Sequence, residues 1–194
     1  MKIKVILGST RPGRTSERVA KWVLSNAAEH AGFEAEIIDL ADYPMPYFEE
    51  VAPPQYNPKR ELHDVVAKFL AKLDEADGLI IVSPEYNRSS TAVLVNAIDH
   101  IDFQLKHKPV AIVTHGSTGG ASAADALRQQ LRGFNVANVA EAVTLFGAGT
   151  IIDEDGVMSD EAKAQPYGPQ TVIGGLLDSL DWWATTLKAG RNQS

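Results

Sequence analysis

The first residues of the chain that could bind a ligand lie in one loop, Gly8 to Ser16, between the apolar run Val5–Leu7 and a helical pattern. A helix N-terminus offers unpaired backbone N–H groups and a partial positive charge, and both attract anions. Hydroxyl and guanidinium groups add donors for phosphate oxygens. The donors in this loop are Ser9, Arg11, Arg14, Thr15 and Ser16. The sequence therefore predicts a phosphate site, and the alternative is a tight turn whose hydroxyl groups only cap the helix.

The glycine content of this loop narrows the class of phosphate ligand. The loop contains no Gly-Lys-Ser or Gly-Lys-Thr, so it is not a nucleoside triphosphate loop. It also lacks the three-glycine fingerprint of a dinucleotide site. Several donors that converge on one dianion suit a terminal monophosphate, so the loop indicates a mononucleotide.

Two later loops also carry residues suited to a ligand. The second loop, Ser83–Ser90, contains a proline and an asparagine that shape its turn. The backbone N–H groups of this loop could bind the edge of a flat heteroaromatic ligand, and Tyr86 could line the ring of that ligand. The alternative is a helix entry capped by Ser89 or Ser90. The third loop, Gly116–Gly120, has three glycines without side chains, so its backbone amides could approach a ligand closely and favour negative charge on it.

Alternating strand and helix patterns position these loops. Short apolar runs alternate with segments whose apolar residues repeat at three and four. The predicted strands are Val5–Leu7, Glu34–Leu40, Gly78–Val82, Pro109–Thr114 and Val136–Phe146. The predicted helices are Ser16–Ala31, Arg60–Leu73, Thr91–Phe103, Ala121–Leu131 and Pro169–Lys188. This alternation predicts an α/β fold with a five-stranded parallel sheet of order 2-1-3-4-5.

That strand order predicts one shared site. It makes the first, third and fourth strands neighbours, so their loops meet at the carboxyl edge of the sheet, where ligands bind in this architecture. A reduced flavin carries negative charge at its N1/O2 edge, which the amides of the third loop would favour. A monophosphate at the first loop and such a ring edge at the third describe FMN.

Two long connections separate the predicted elements. Ala41–Pro58 contains five prolines and is predicted to be irregular. Its aromatic residues Tyr43, Tyr47 and Phe48 either cover a site or pack on the surface. Gly147–Gln165 is predicted to be an exposed excursion with an acidic turn, because its carboxylate series is too short for a calcium loop.

Composition excludes several classes of protein. The 194 residues predict one domain, residues 1–194. A net charge of −7 argues against nucleic acid or an anionic membrane as a partner. The chain has no cysteine, and its histidines lack metal-ligand spacing, so we expect no metal site. Neither a membrane span nor a signal peptide is apparent, which predicts a cytoplasmic protein.

Four segments of the chain carry a family resemblance. They are Gly8–Arg14, Pro84–Asn87 with Ser89 after it, Asn96–Asp99, and Gly119–Gly120. By these motifs the chain resembles the NADPH-dependent FMN reductase family of flavodoxin-like proteins. The resemblance implies a flavodoxin-like three-layer sandwich that binds FMN.

The resemblance also assigns site residues. It implies that the FMN phosphate is held by Ser9, Arg11 and Ser16 and by the backbone of Glu17 and Arg18. Along the flavin and ribityl chain it places Pro84, Glu85, Tyr86 and Asn87. At the pyrimidine edge it places Ser117, Gly119 and Gly120.

The activity implied by the resemblance is hydride transfer from NADPH or NADH, through FMN, to a quinone, flavin or similar small-molecule acceptor. The flavin supplies the chemistry, so no side chain is assigned a catalytic role. A homodimer or a dimer of dimers is implied as well. The alternatives are a flavodoxin-type electron carrier without its own NAD(P)H oxidase activity and a mononucleotide sensor.

The sequence departs from the family pattern at several positions, among them Arg14 and Ser16 in the first loop, where serine and asparagine are frequent. Two further departures concern the nicotinamide cofactor and the flavin. Ser122 stands where an arginine that helps to hold NADPH is frequent, so the choice between NADPH and NADH stays open. His115 stands where an aromatic residue is frequent; it either tunes the reduced flavin or is a strand-end histidine bonded to backbone. The remaining histidines are predicted at the surface or an interface; they are His30, His63, His100 and His107.

Overall fold

The structure, a computed structural model, describes residues 1–57 and 59–193. It contains a five-stranded parallel sheet with helices on both faces. The strands are β1 Lys2–Leu7, β2 Glu34–Asp39, β3 Gly78–Pro84, β4 Pro109–Gly116 and β5 Ala137–Phe146. The helices are α1 Ser16–Glu29, α2 Asp64–Asp74, α3 Ala92–Asp99, α4 Ala121–Leu131, α5 Ala148–Ile151, α6 Asp160–Lys163 and α7 Pro169–Arg191. The order β2-β1-β3-β4-β5 confirms the predicted architecture.

Side chains of the central strands alternate between two apolar cores, one on each face of the sheet. In β1, Val5 and Leu7 join the core formed with α1 and α7, whereas Ile6 joins the core formed with α2, α3 and α4. Every residue of β3 is buried, as expected for a parallel strand covered on both faces. No helix in the described part of the chain is long and apolar enough to cross a membrane.

Two strands extend further toward the predicted site than their apolar runs do. β3 continues to Pro84 and β4 continues to Gly116, and Pro84 pairs with His115 in the parallel register. The predicted ends at Val82 and Thr114 are therefore short by two residues each. Ladder pairing uses backbone groups, which polar residues also carry, so an apolar run underestimates the length of a strand.

Two helices differ by four residues at one end from the bounds that their apolar spacing predicts. α2 begins at Asp64 and not at Arg60, so Leu62 lies exposed ahead of it. The Arg60 guanidinium instead forms an ion pair with Glu50 at 2.6 Å, which holds the preceding connection against the protein. α3 ends at Asp99, four residues before the predicted end.

Most residues of the segment after β5 are exposed, as predicted for Gly147–Gln165, but some of its apolar side chains join the core, which the prediction missed. It contains α5 and α6, and its buried apolar side chains are Ala148, Ile152, Met158 and Ala162. These apolar residues follow neither a helical nor a strand period over the whole segment, so no periodic pattern revealed them. The predicted acidic turn is confirmed, since the Asp153 carboxylate accepts two backbone N–H bonds within it.

The connection Ala41–Pro58 is irregular, as predicted, apart from two short 3₁₀ turns; Pro58 lies outside the described residues. Asn96 of α3 holds this connection. Its side-chain oxygen accepts from the N–H of Phe48, and its amide donates to the carbonyl of Pro46, both at 2.9 Å. One side chain therefore satisfies two backbone groups of the connection.

Of the aromatic side chains Tyr43, Tyr47 and Phe48 in this connection, two pack against helices. Tyr43 meets Phe69 edge-on at a centroid distance of 5.7 Å, and Phe48 meets His100 edge-on at 5.5 Å. Tyr47 is 83% exposed. His100 is buried, which corrects its prediction as a surface or interface residue.

We predict that Asn96→Ala lowers the free energy of unfolding by about 2 kcal/mol, because two hydrogen bonds to the connection are lost. Urea unfolding monitored by far-UV circular dichroism measures the change. Asn192→Ala, an exposed position at the end of α7, is the matched control and should change stability little. Equal effects of the two substitutions would contradict the assigned role of Asn96.

Candidate functional site

Three loops meet at the carboxyl edge of β1, β3 and β4: the first loop (residues 8–15), the second loop (85–91) and the third loop (117–120). Side chains connect the first loop to the second, because the Ser9 and Tyr86 hydroxyl oxygens lie 3.3 Å apart. The structure therefore brings together the loops that the strand order predicts as neighbours.

Thr91 fixes where the second loop ends. Its hydroxyl donates to the carbonyl of Gly8 and accepts from the N–H of Leu94 at 3.2 Å, so it caps α3 and joins this helix to the first loop. The alternative in which Ser89 or Ser90 caps the helix is wrong.

The two arginines of the first loop have different roles. The Arg14 guanidinium bonds to the Ser9 carbonyl and forms an ion pair with Asp39. Arg11 is exposed and lies over the Tyr86 ring, 5.6 Å from its centroid. Within residues 1–57 and 59–193, no carboxylate lies at salt-bridge distance from Arg11. Arg11 is therefore the arginine available to an anion, a choice that the residue types alone left open and that the family resemblance made.

The first turn of α1 keeps backbone donors available. Thr15, at the N-cap, makes no side-chain cap bond. The N–H of Glu17 makes a long bond of 3.4 Å to Arg14, and no carbonyl in the described part of the chain accepts from the N–H groups of Ser16 or Arg18. The alternative of hydroxyl groups that only cap this helix is not observed. Such a helix end favours an anion.

The side chains of Glu17 and Arg18 are engaged elsewhere. Arg18 contacts the carbonyl of Gly149 at 3.3 Å and the Glu154 carboxylate at 3.2 Å, and Glu17 pairs with Lys21 at 3.2 Å. A phosphate at this helix end would therefore contact the backbone N–H groups of these two residues and not their side chains, as the resemblance implies.

The second loop is a tight turn with two left-handed residues. Tyr86 and Ser89 exchange backbone hydrogen bonds of 2.9 and 3.0 Å. Asn87 has a φ of +50°, as its residue type predicts, and Arg88 has a φ of +64°, which is uncommon for a long side chain. The turn directs Tyr86 toward the first loop, where its ring lies beneath Arg11.

Glu85 joins the second loop to the third. Its N–H donates to the carbonyl of His115 at 2.8 Å. Its carboxylate accepts from the Thr118 hydroxyl at 3.1 Å and from the N–H of Ala123 at 3.2 Å, in the first turn of α4, where the helix dipole favours negative charge. Glu85 and the strand residue Pro84 therefore support the loops, a role that the sequence did not separate from contact with a ligand.

The third loop depends on two glycines. Gly119 and Gly120 have φ values of +79° and +85°. A Cβ at Gly120 would lie 2.8 Å from the backbone nitrogen of His115, and one at Gly119 would lie 2.7 Å from the Phe146 ring. Ser117 is exposed beside them. Phe146 therefore borders the third loop, and its position at the end of the fifth strand was its only signal in the sequence.

His115 connects β4 to α1. Its Nε2 lies 2.8 Å from the Ser16 hydroxyl oxygen, and both residues are buried. Burial, and then the charge of Arg11, lower the pKa of His115 from 6.5 to about 4, so the ring is neutral at physiological pH. The expectation that backbone groups satisfy this histidine is wrong, since its partner is a side chain in the predicted phosphate site.

The assembled donors fit a phosphate group. Among the described residues, they are two buried hydroxyl groups, one guanidinium with no carboxylate at salt-bridge distance, and N–H groups at the end of α1 that donate to no backbone carbonyl. Such a set suits a dianion and would repel a cation. The described residues also contain no group of three or more side chains that could hold a metal ion.

The part of the chain that contains the three loops matches one protein family. A family model described as NADPH-dependent FMN reductase matches residues 1–150, which include all three loops. An NAD(P)H-dependent FMN reductase of Schizosaccharomyces pombe is 33% identical over 127 residues, which are 66% of this chain and 64% of that protein. An NADPH azoreductase of a Bacillus species is 30% identical over 168 residues, 84% of this chain and 85% of that protein.

A solved structure supports the fold. The flavoenzyme NAD(P)H:(acceptor) oxidoreductase FerB from Paracoccus denitrificans superimposes with a TM-score of 0.71 at 23% identity. The match covers 95% of this chain and 97% of that chain. At this level of identity the likeness concerns the three-layer architecture.

We predict that His115 makes stability depend on pH between about 6.5 and 4. The unfolded chain binds a proton at this histidine below about 6.5, whereas the folded protein does so only below about 4, so stability falls as the pH falls through this window. The contribution should approach about 3 kcal/mol at its acid end. Urea unfolding of the wild type and of His115→Phe across this range measures it; parallel pH profiles would contradict the prediction.

Proposed function

The chain belongs to the NADPH-dependent FMN reductase family, and on that premise we propose that it is an FMN-dependent NAD(P)H oxidoreductase. It transfers hydride from NADPH or NADH, by way of FMN, to a quinone, a flavin or a similar small-molecule acceptor. The observation that carries the proposal is the phosphate-binding donor set at the edge where the three loops meet. Residues 1–194 then constitute one FMN-binding domain.

The FMN phosphate would be held at the first loop. The Arg11 guanidinium neutralises part of its charge, and the hydroxyl groups of Ser9 and Ser16 donate to its oxygens. The backbone N–H groups of Glu17 and Arg18 add donors at the end of α1, where the helix dipole also favours the anion.

The flavin and ribityl chain would lie along the second loop. Tyr86 and Asn87 border this region, and Pro84 and Glu85 hold the loop in place from below through β3 and α4. The pyrimidine edge would meet the backbone of Ser117, Gly119 and Gly120. The N-terminus of α4 favours the negative charge that this edge acquires on reduction.

Bound FMN supplies the capacity to accept and release hydride. The chain's own residues bind, orient and shield the reactants, and we assign none of them a catalytic role. The carboxylate of Glu85 and the imidazole of His115 fit this assignment, because Glu85 is used in hydrogen bonds to the third loop and α4 and His115 is paired with Ser16.

A flavodoxin-type electron carrier is the alternative function. Such carriers enclose the flavin ring between aromatic side chains, and Phe146, which is 64% exposed beside Gly119, offers a second ring in addition to Tyr86. The names of the relatives, which are reductases, favour the enzyme.

The two functions differ in one measurement. We expect FMN-loaded protein to lose its flavin absorbance within seconds of anaerobic mixing with NADPH or NADH, and to regain it when a quinone is added. An electron carrier needs a separate reductase, so unbleached flavin after mixing would overturn the oxidoreductase assignment in favour of the carrier.

The FMN affinity of the Arg11→Ala variant, measured by titration, tests the contact between this arginine and the phosphate. Loss of a charge-assisted contact to the phosphate should weaken FMN binding about tenfold to a hundredfold. Arg132→Ala, an exposed arginine beyond the end of α4, is the control and should bind FMN as the wild type does. Full FMN affinity in Arg11→Ala would remove this residue from the site.

We further propose that the protein is a homodimer, or a dimer of dimers, in the cytoplasm, where NADPH and NADH are available. Several of the exposed apolar side chains lie in the long connection, just ahead of α2 and just after α3; they are Tyr47, Val51, Tyr56, Leu62 and Phe103. Partner chains commonly cover patches of this kind. The net charge of −7 argues against nucleic acid as a partner.

Sedimentation equilibrium tests the dimer. The wild type should sediment as a dimer or tetramer, and substitution of Tyr47 and Phe103 by Ser should shift it toward the monomer. Substitution of Trp182, an exposed aromatic residue on α7, by Ser is the matched control. A monomeric wild type, or an equal effect of the control, would contradict this interface.

A further inference from the structure

A single buried hydrogen bond links the fourth strand to the predicted phosphate site. The Nε2 atom of His115, at the end of β4, lies 2.8 Å from Oγ of Ser16, the first residue of α1, although 99 positions separate the two residues. Ser16 is 1% exposed and His115 is 8% exposed. This contact therefore fixes the direction of a hydroxyl group that would face the phosphate.

Proton counting leaves two arrangements for this pair. A neutral imidazole has one N–H, and the hydroxyl has one proton and two lone pairs. If Nε2 accepts, the Ser16 proton is used on His115, and the hydroxyl can offer a ligand only lone pairs. If Nε2–H donates, the Ser16 proton stays free for an acceptor at the loop.

Only the second arrangement suits a phosphate, because a phosphate dianion accepts hydrogen bonds. We propose that His115 positions Ser16 as a donor to the FMN phosphate by donating its Nε2–H to the Ser16 oxygen. His115 is thus a positioning residue that acts through Ser16. The inference rests on the proposed function and deepens it, since it assigns a determinant of recognition for the phosphorylated flavin.

The surroundings of the pair support this role. Arg11 is the charged group that acts on His115, and it stands on the side where the phosphate would bind. Burial and this cation keep the ring neutral in the protein without ligand, so the ring has one N–H to place. A phenyl ring at this position would fill similar space but would leave the Ser16 hydroxyl without its partner.

Comparison of FMN with riboflavin, which lacks the phosphate, separates positioning from packing. Fluorescence titration of His115→Phe should show FMN affinity lowered about tenfold and riboflavin affinity unchanged. Ser16→Ala should behave in the same way, and the double variant should lose no more than either single one, because both act on one contact. His115→Gln, whose amide can donate to Ser16, should recover much of the preference for FMN. His63→Phe, an exposed position ahead of α2, is the control.

The protonation of the ring can be observed in the unmodified protein. On addition of FMN, ¹⁵N NMR of the labelled imidazole should show a proton on Nε2, and riboflavin should not enforce this state. An unprotonated Nε2 in the FMN complex would overturn the inference, as would equal losses of FMN and riboflavin affinity in both His115→Phe and His115→Gln. Wild-type protein that binds neither flavin would overturn the proposed function, and the inference with it.

Discussion

The adjacency of β1, β3 and β4 is the constraint on which the rest of the structure depends. Parallel strands need crossover connections, and the strand order leaves the loops after these three strands at one edge of the sheet. Ser9 and Tyr86, 77 positions apart in the chain, can therefore share a contact. Without this order the hydroxyl groups, the arginine and the glycine-rich turn would stand on separate surfaces.

Polar contacts between the loops then hold the site in shape. Glu85 ties the second loop to α4, and His115 ties β4 to α1, in positions where few side-chain atoms reach solvent. A satisfied polar network of this kind is rigid, and rigid donors bind an anion without first being ordered. The charge distribution also favours an anion at this site, since Arg11 and the end of α1 are locally positive on a protein whose net charge is −7.

The order of the elements and the three loops could be predicted from the sequence, because the signals for them are local. These signals are the spacing of apolar residues in the helices and strands and the glycine and hydroxyl residues in the loops. The sequence did not separate residues that face a ligand from residues that support the loops, because that difference depends on contacts between distant segments. By residue type Arg11 and Arg14 were equivalent, and only the family resemblance selected Arg11. Asp39, which engages Arg14, follows from neither motif nor spacing. Phe146 and the Ser16–His115 contact escaped prediction for the same reason.

The central claim is that one FMN molecule spans all three loops. A crystal structure of the FMN complex tests it most directly. Our account predicts the phosphate within hydrogen-bond distance of Ser9, Arg11 and Ser16, and the pyrimidine edge against the backbone of Gly119 and Gly120. Flavin density at any other surface of the protein, with the first loop unchanged, would contradict the account.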